Sequence, residues 1–143
     1  MEIKNTMELK LPSLSVNEGF ARSVVGAFAT QLDPTLEDIA DIKTAVSEAV
    51  TNAIVHGYPD KLGEIRIYAS LENRTIKVVV QDQGVGIRDI EQARQPFYST
   101  AGDESRSGMG FTVMETFMDE VSIDSTPGKG TTVKLKKTIA AQG

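Results

Sequence analysis

Near residue 64 the apolar residues of this chain change their spacing, and that change limits the folds open to it. Upstream, Phe20, Val24 and Phe28 recur every four residues, which predicts a helix with one apolar face ending near Leu32. Leu36, Ile39, Val46, Ala49, Val50 and Ala53 form the apolar stripe of a second helix, closed by Gly57 and Pro59. Downstream, Ile65, Ile67, Ala69 and Leu71 alternate with polar residues, and Ile76, Val78 and Val80 continue the alternation beyond a turn at Glu72-Asn73-Arg74. Strands joined by tight turns pair antiparallel, and two stripe-bearing helices must cover a sheet to bury their apolar sides. The expectation is α+β: a two-layer sandwich with a mainly antiparallel sheet and helices on one face.

The flanking segments fit this scheme. Met7, Leu9 and Leu11 alternate and predict an opening strand, while Ser15 and Glu18 read as a capping box for the first helix. Asp33-Pro34 reads as cap and first residue of the second. Short helical material is expected to about Arg94. Phe111, Met114, Phe117 and Met118 predict a third helix. Val121 with Ile123, and Val133 with Leu135, predict two more strands around a turn at Thr126–Gly130. The polar stretch from Ser99 to Gly108 has no apolar periodicity and reads as a loop. No repeat or linker divides the 143 residues, so one domain over 1–143 is expected.

Composition narrows the function. Fifteen Lys and Arg against twenty Asp and Glu give a net charge of −5. An acidic domain is poorly suited to coating nucleic acid or binding anionic membranes, both of which need cationic surface. The absence of cysteine removes disulfides, thiol nucleophiles and thiolate metal sites, and a single histidine argues against zinc. There is no apolar run of membrane-spanning length and no signal-peptide pattern at the start, so a cytoplasmic location is expected.

Several residues are candidates for chemistry. Glu48 and Asn52 lie one turn apart at the edge of the buried sector of the second helix, where they can jointly face a ligand or simply form a solvated edge. Asp82 falls in the inward phase of Ile76, Val78 and Val80, so the alternation carries a carboxylate toward the core. It needs a donor there, from its own backbone or from a ligand. Gly84 and Gly86 follow at once and allow close backbone approach. Gly108-Met109-Gly110-Phe111 opens a helix, whose free N–H groups suit phosphate, and Arg106 precedes it. Gly128-Lys129-Gly130-Thr131 is more simply a hairpin turn than a phosphate nest. Neither the P-loop nor the dinucleotide-binding pattern is present.

The order and spacing of Glu48-x-x-x-Asn52, Asp82-x-Gly84-x-Gly86, Gly108-x-Gly110 and Gly128-x-Gly130-Thr131 resemble the N box and three glycine boxes of the GHKL ATPases, built on the Bergerat ATP-binding fold. The resemblance runs from about residue 8 to 137. Within that superfamily, Ser47-Glu-Ala-Val-Thr-Asn-Ala-Ile-Val-His-Gly57 and Arg106-Ser-Gly-Met-Gly-Phe-Thr-Val-Met-Glu115 resemble the small bacterial anti-sigma serine kinases of sporulation. The resemblance implies Mg²⁺ coordinated by Asn52 and bridging the ATP phosphates, and Asp82 accepting the adenine amino group. It implies Gly86 and Thr131 lining the base pocket, Gly84 among the nucleotide-binding residues, and an ATP lid at about 99–107 that carries Arg106. It also implies a phosphate-binding helix start at Ser107, Gly108, Met109, Gly110 and Phe111, and Glu48 as general base.

The same resemblance implies two partners: a sigma factor held inactive, and an anti-anti-sigma protein phosphorylated on serine. It further implies a homodimer. Neither direct nucleic-acid binding nor membrane association is expected. Two other readings stay open, a general-stress anti-sigma kinase of the same architecture and a non-catalytic, ATP-gated binding module. Glu18 and Arg22, outside all four boxes, are the candidates for partner and dimer contacts.

Overall fold

The structure, a computed structural model, describes residues 4–87 and 110–141. Strand β1 (Asn5–Pro12) precedes helices α1 (Asn17–Ala29) and α2 (Leu36–Asn52). Strands β2 (Glu64–Glu72) and β3 (Thr75–Asp82) follow, then helix α3 (Gly110–Phe117) and strands β4 (Glu120–Thr126) and β5 (Gly130–Thr138). The five strands form one sheet in the order β1-β2-β3-β5-β4, each neighbouring pair antiparallel. The helices form the second layer, with α2 between α1 and α3. This is the expected two-layer α+β sandwich.

Alternation decides which strand residues meet the helices. Ile65, Ile67, Ala69 and Leu71 are buried on β2, and Ile76, Val78 and Val80 on β3. They pack against Val25, Phe28, Ile42, Val46, Val50 and Met114. The ladder arranges this face in transverse rows. One row is Met7–Ala69–Val78–Leu135–Val121, and the next is Leu9–Ile67–Val80–Val133–Ile123.

The β2–β3 turn places Asn73 and Arg74 at φ 53° and 59°, the pair of left-handed conformations that suits a two-residue hairpin. The Arg74 side chain anchors the turn through three hydrogen bonds. Nε donates to Ile139 O (2.9 Å), and Nη2 donates to Leu32 O (2.7 Å) and Ala140 O (3.1 Å).

Local expectations at the helix ends need correction. Helix α1 is capped at Val16 without a side-chain hydrogen bond, so Ser15 and Glu18 do not form a capping box. Glu18 instead accepts from the hydroxyl of Ser47 on α2 and lies 3.6 Å from Arg22. Phe20 is 53% exposed, and the buried face of α1 is Ala21, Val25, Phe28 and Ala29. Helix α2 starts two residues later than expected, with Thr35 as cap and Asp38 completing a capping box, while Asp33 takes φ 51°. This turns Leu36 outward at 89% exposure. The helical material expected to about Arg94 and the polar loop from Ser99 lie outside the described residues.

Candidate functional site

The sheet's next transverse row is Leu11–Ile65–Asp82–Thr131–Ser125. Here the apolar layer ends, and three of the five positions are polar. Asp82 and Thr131 are both only 4% exposed. The strand phase has therefore carried a carboxylate inward, as the alternation predicts. Burial pushes the Asp82 carboxyl above its ordinary 3.8, and hydrogen bonds from the backbone of Gly84 and Thr131 oppose the shift. The Gly84 N–H donates to Asp82 Oδ1 at 2.9 Å, so the residue does bind its own turn as well as facing the core boundary. Ser125 ties this row together. Its Oγ donates to Gly130 O (3.1 Å), accepts from Ile87 N (2.7 Å) and lies 2.8 Å from the Thr131 hydroxyl.

Helix α2 approaches the row from above. Its regular turns stop at Asn52, and residues Ala53–Gly57 form a π-turn, closed by Tyr58 N–H donating to Ala53 O at 3.2 Å. The π-turn delivers Gly57 onto the glycine loop after β3. Val85 N–H donates to Gly57 O at 2.9 Å. A Cβ at Gly84 would lie 1.9 Å from that same oxygen, so no side chain fits there. Gly86, at φ 75°, faces the carbonyl of Thr126 at the β4–β5 turn, and Val85 O accepts from Gly128 N (2.7 Å). Gly128 sits at φ 81° in that turn, which makes Thr126–Gly130 the hairpin connection expected.

Glu48 and Asn52 are half-buried on one edge of α2, beside the fully buried Ala49 and Ala53. Gly110, the first described residue of α3, lies against Glu48. A Cβ built on it would be 3.1 Å from Glu48 Oε2. Phe111 points into the core at 5% exposure, so it can offer a ligand only its backbone. Arg106, Ser107, Gly108 and Met109 lie outside the described residues.

The structure thus brings Glu48 to Gly110, and Asp82 to Gly84, Thr131 and the end of α2. Glu18 and Arg22 lie elsewhere, on α1, although the Ser47 contact ties Glu18 to the residue before Glu48. Tyr58 and Ser125 are site-shaping residues that sequence reasoning missed, and Gly57, read there as a helix end within the first box segment, also packs on the glycine loop. Ser125 had a signal: it continues the inward phase of Val121 and Ile123.

A carboxylate and a carboxamide on one helix edge thus meet a helix start, and a buried aspartate sits in a glycine-lined corner beside them. A family model described as a histidine kinase-like ATPase domain matches residues 12–137. The chain belongs to that histidine kinase-like ATPase family. It is 60% identical over 141 residues to the anti-sigma F factor of Thermoanaerobacter sp. (strain X514), covering 99% of both chains. It is 51% identical over 139 residues to the anti-sigma F factor of Bacillus subtilis (strain 168), covering 96% of this chain and 95% of that one. Among solved structures, the RsbU and RsbW domains of a Mycobacterium tuberculosis protein superpose with a TM-score of 0.67 at 23% identity, over 94% of this chain and 32% of that one. The mycobacterial sensor histidine kinase MprB gives 0.58 at 13% identity, over 95% of this chain and all of that one. These two likenesses show the shared fold.

Proposed function

We propose that the chain is an anti-sigma factor and an ATP-dependent protein serine kinase. It would hold a sporulation sigma factor inactive and phosphorylate an anti-anti-sigma protein on serine. The observation that carries this reading is full-length similarity, at 50–60% identity, to proteins named anti-sigma F factor. The site's geometry supports it. Phosphoryl transfer asks a protein chiefly for in-line positioning and charge neutralisation. Asp82 would accept the adenine amino group, with Gly84, Gly86 and Thr131 around the base. The helix start at Gly110 and the backbone of Phe111, with Ser107, Gly108, Met109 and Arg106 before them, would meet the phosphates.

Glu48, beside Gly110, would take the proton of the acceptor serine. Among the described residues no group of three or more His, Cys, Asp or Glu is placed to hold a metal ion. Mg²⁺ is commonly held through substrate phosphates and few protein ligands, and a single carboxamide oxygen on the edge of α2 suits that mode. Asn52 would supply that oxygen, and the ion when bound neutralises phosphate charge.

The partner surface would be the start of α1. Val16 and Phe20 are 76% and 53% exposed there, beside Glu18 and Arg22. The same region would carry the homodimer contact. No helix among the described residues is long and apolar enough to cross a membrane, and the reading implies action in the cytoplasm on protein partners, without direct contact to nucleic acid.

The test is a pull-down of partners with the chain as bait, followed by incubation with radiolabelled ATP and Mg²⁺. Capture of a sigma factor and label on a serine of a second partner are expected. Capture of a sigma factor without label on any partner would leave an ATP-gated binding module instead. Capture of a general-stress sigma factor would move the chain to that branch. Reversing the charges of Glu18 and Arg22 should weaken sigma binding or dimerisation; if both stay unchanged, the α1 surface is wrongly assigned.

A further inference from the structure

Tyr58 stands directly after the π-turn and is 7% exposed. Its ring rests on Gly63, where a Cβ would come within 2.1 Å of it. Its hydroxyl donates to Glu64 O at 2.7 Å and accepts from Gln83 N–H at 2.7 Å. The last ladder pair of β2 and β3 is Ile65 with Asp82, so Glu64 and Gln83 would form the next pair. The phenol stands between those two residues, bridging the carbonyl of one to the N–H of the other. It ends the ladder one residue after Asp82.

The three amides that follow Asp82 are then all accounted for. Gln83 N–H goes to the Tyr58 hydroxyl, Gly84 N–H to Asp82 Oδ1, and Val85 N–H to Gly57 O. The outer two are held by consecutive residues, Gly57 and Tyr58, and the middle one aims the aspartate. The Gln83 N–H bond to Tyr58 is part-buried at an exposed residue, so losing the phenol oxygen leaves that N–H to mobile water in place of a fixed acceptor. Removing the phenol oxygen therefore frees Gln83 to move, and Gly84 with it.

We infer that Tyr58 is a positioning residue that sets nucleotide selection by fixing the Gln83–Val85 backbone, which in turn orients the Asp82 carboxylate. The inference rests on the proposed role of Asp82 as acceptor of the adenine amino group. Its experiment compares two ligands by titration calorimetry, ATP and purine riboside 5′-triphosphate, which lacks that amino group. The wild-type chain should prefer ATP by about tenfold or more, the value of one well-made hydrogen bond to a charged acceptor. In Tyr58→Phe, which keeps the ring, ATP affinity should fall about tenfold while that of the analogue changes by less than about twofold.

An equal fall for both ligands would make Tyr58 a merely structural residue and overturn the inference alone. A wild-type chain indifferent to the amino group would overturn the adenine reading and the inference together. The unmodified protein gives a second arm that does not depend on a variant folding. The Gln83 and Val85 amides should exchange hydrogen as slowly as those of β3, and rapid exchange at both would also overturn the clamp.

Discussion

The backbone of Gly57 lies directly on the carboxylate of Asp82: a Cβ built at Gly57 would sit 2.8 Å from Cγ and 2.9 and 3.0 Å from the two oxygens. Two residues 25 positions apart, one ending the helix and one ending the strand, thereby close the same corner. The contact is one-sided, because glycine has no side chain to compete for the carboxylate. Gly57→Ala must displace either the aspartate or the π-turn. We expect ATP affinity to fall by about tenfold or more, with destabilisation of about 1–3 kcal/mol from overpacking. Calorimetric titration and urea unfolding check the two effects separately.

Asp82 itself links this corner to pH. Burial raises its carboxyl above the 3.8 of the free group, so the folded chain binds the proton more tightly than the unfolded one. The stabilisation from that proton is fully present below 3.8 and is lost as pH rises through the folded-state value. At neutral pH the ionised, buried carboxylate is a net cost to the unliganded fold. Asp82→Asn should therefore raise the unliganded Tm at pH 7, and the gap to wild type should narrow as pH falls toward 4. The same variant should bind ATP at least about tenfold more weakly. Thermal unfolding across pH 4–7.5, with ATP titrations at pH 7, tests both; a pH-independent gap would remove the titration argument.

Which features were legible follows from how local their causes are. The inward phase of β3 placed Asp82 correctly because a strand's period of two leaves no freedom over four residues. The helix starts were not legible in the same way. Ser15 and Glu18 have the spacing of a capping box, but Ser47, 29 residues away, donates to Glu18 instead. Thr35, with Asp38 completing a capping box, is the cap where the sequence predicts Asp33, and no periodic signal separates the two starts. Tyr58 was silent for another reason. Its hydroxyl meets a backbone carbonyl and a backbone N–H, and patterns of side chains do not register such partners. The relation of Glu48 to Gly110 was legible as a resemblance in box order, and the packing of α3 on α2 supplies its physical form.

Arg74 gives a test of the fold apart from the site. Its guanidinium ties Leu32, in the 3₁₀ turn Thr30–Leu32, and Ile139 and Ala140, directly after β5, to the β2–β3 hairpin. Its backbone meanwhile holds a left-handed conformation that costs a side-chain-bearing residue about 1–2 kcal/mol. Arg74→Ala loses the hydrogen bonds and keeps the strain, so it should destabilise by about 2–3 kcal/mol. Arg74→Gly loses the same bonds but relieves the strain, and should be about 1 kcal/mol more stable than the alanine variant. Urea midpoints of the two variants decide the matter: an alanine variant as stable as the glycine one would mean the turn relaxes on losing its anchor.

The role proposed for Glu48 can be tested by separating binding from chemistry. Glu48 sits at the edge of α2 against Gly110, the first described residue of α3, where the proposed function puts the phosphates, while Asp82 is proposed for the base. Gln has the same length and keeps the hydrogen-bonding oxygen but cannot accept a proton as a base. Glu48→Gln should therefore bind ATP and the sigma factor within about twofold of wild type, while phosphoryl transfer to the partner's serine falls by about 10²–10⁴, the range for loss of a positioned base. Single-turnover transfer of radiolabelled phosphate measures the second quantity without interference from product release. Transfer at the wild-type rate would remove Glu48 as the base. A parallel loss of ATP affinity would instead assign its carboxylate to holding the nucleotide, with Asn52, at the phosphate end of the site.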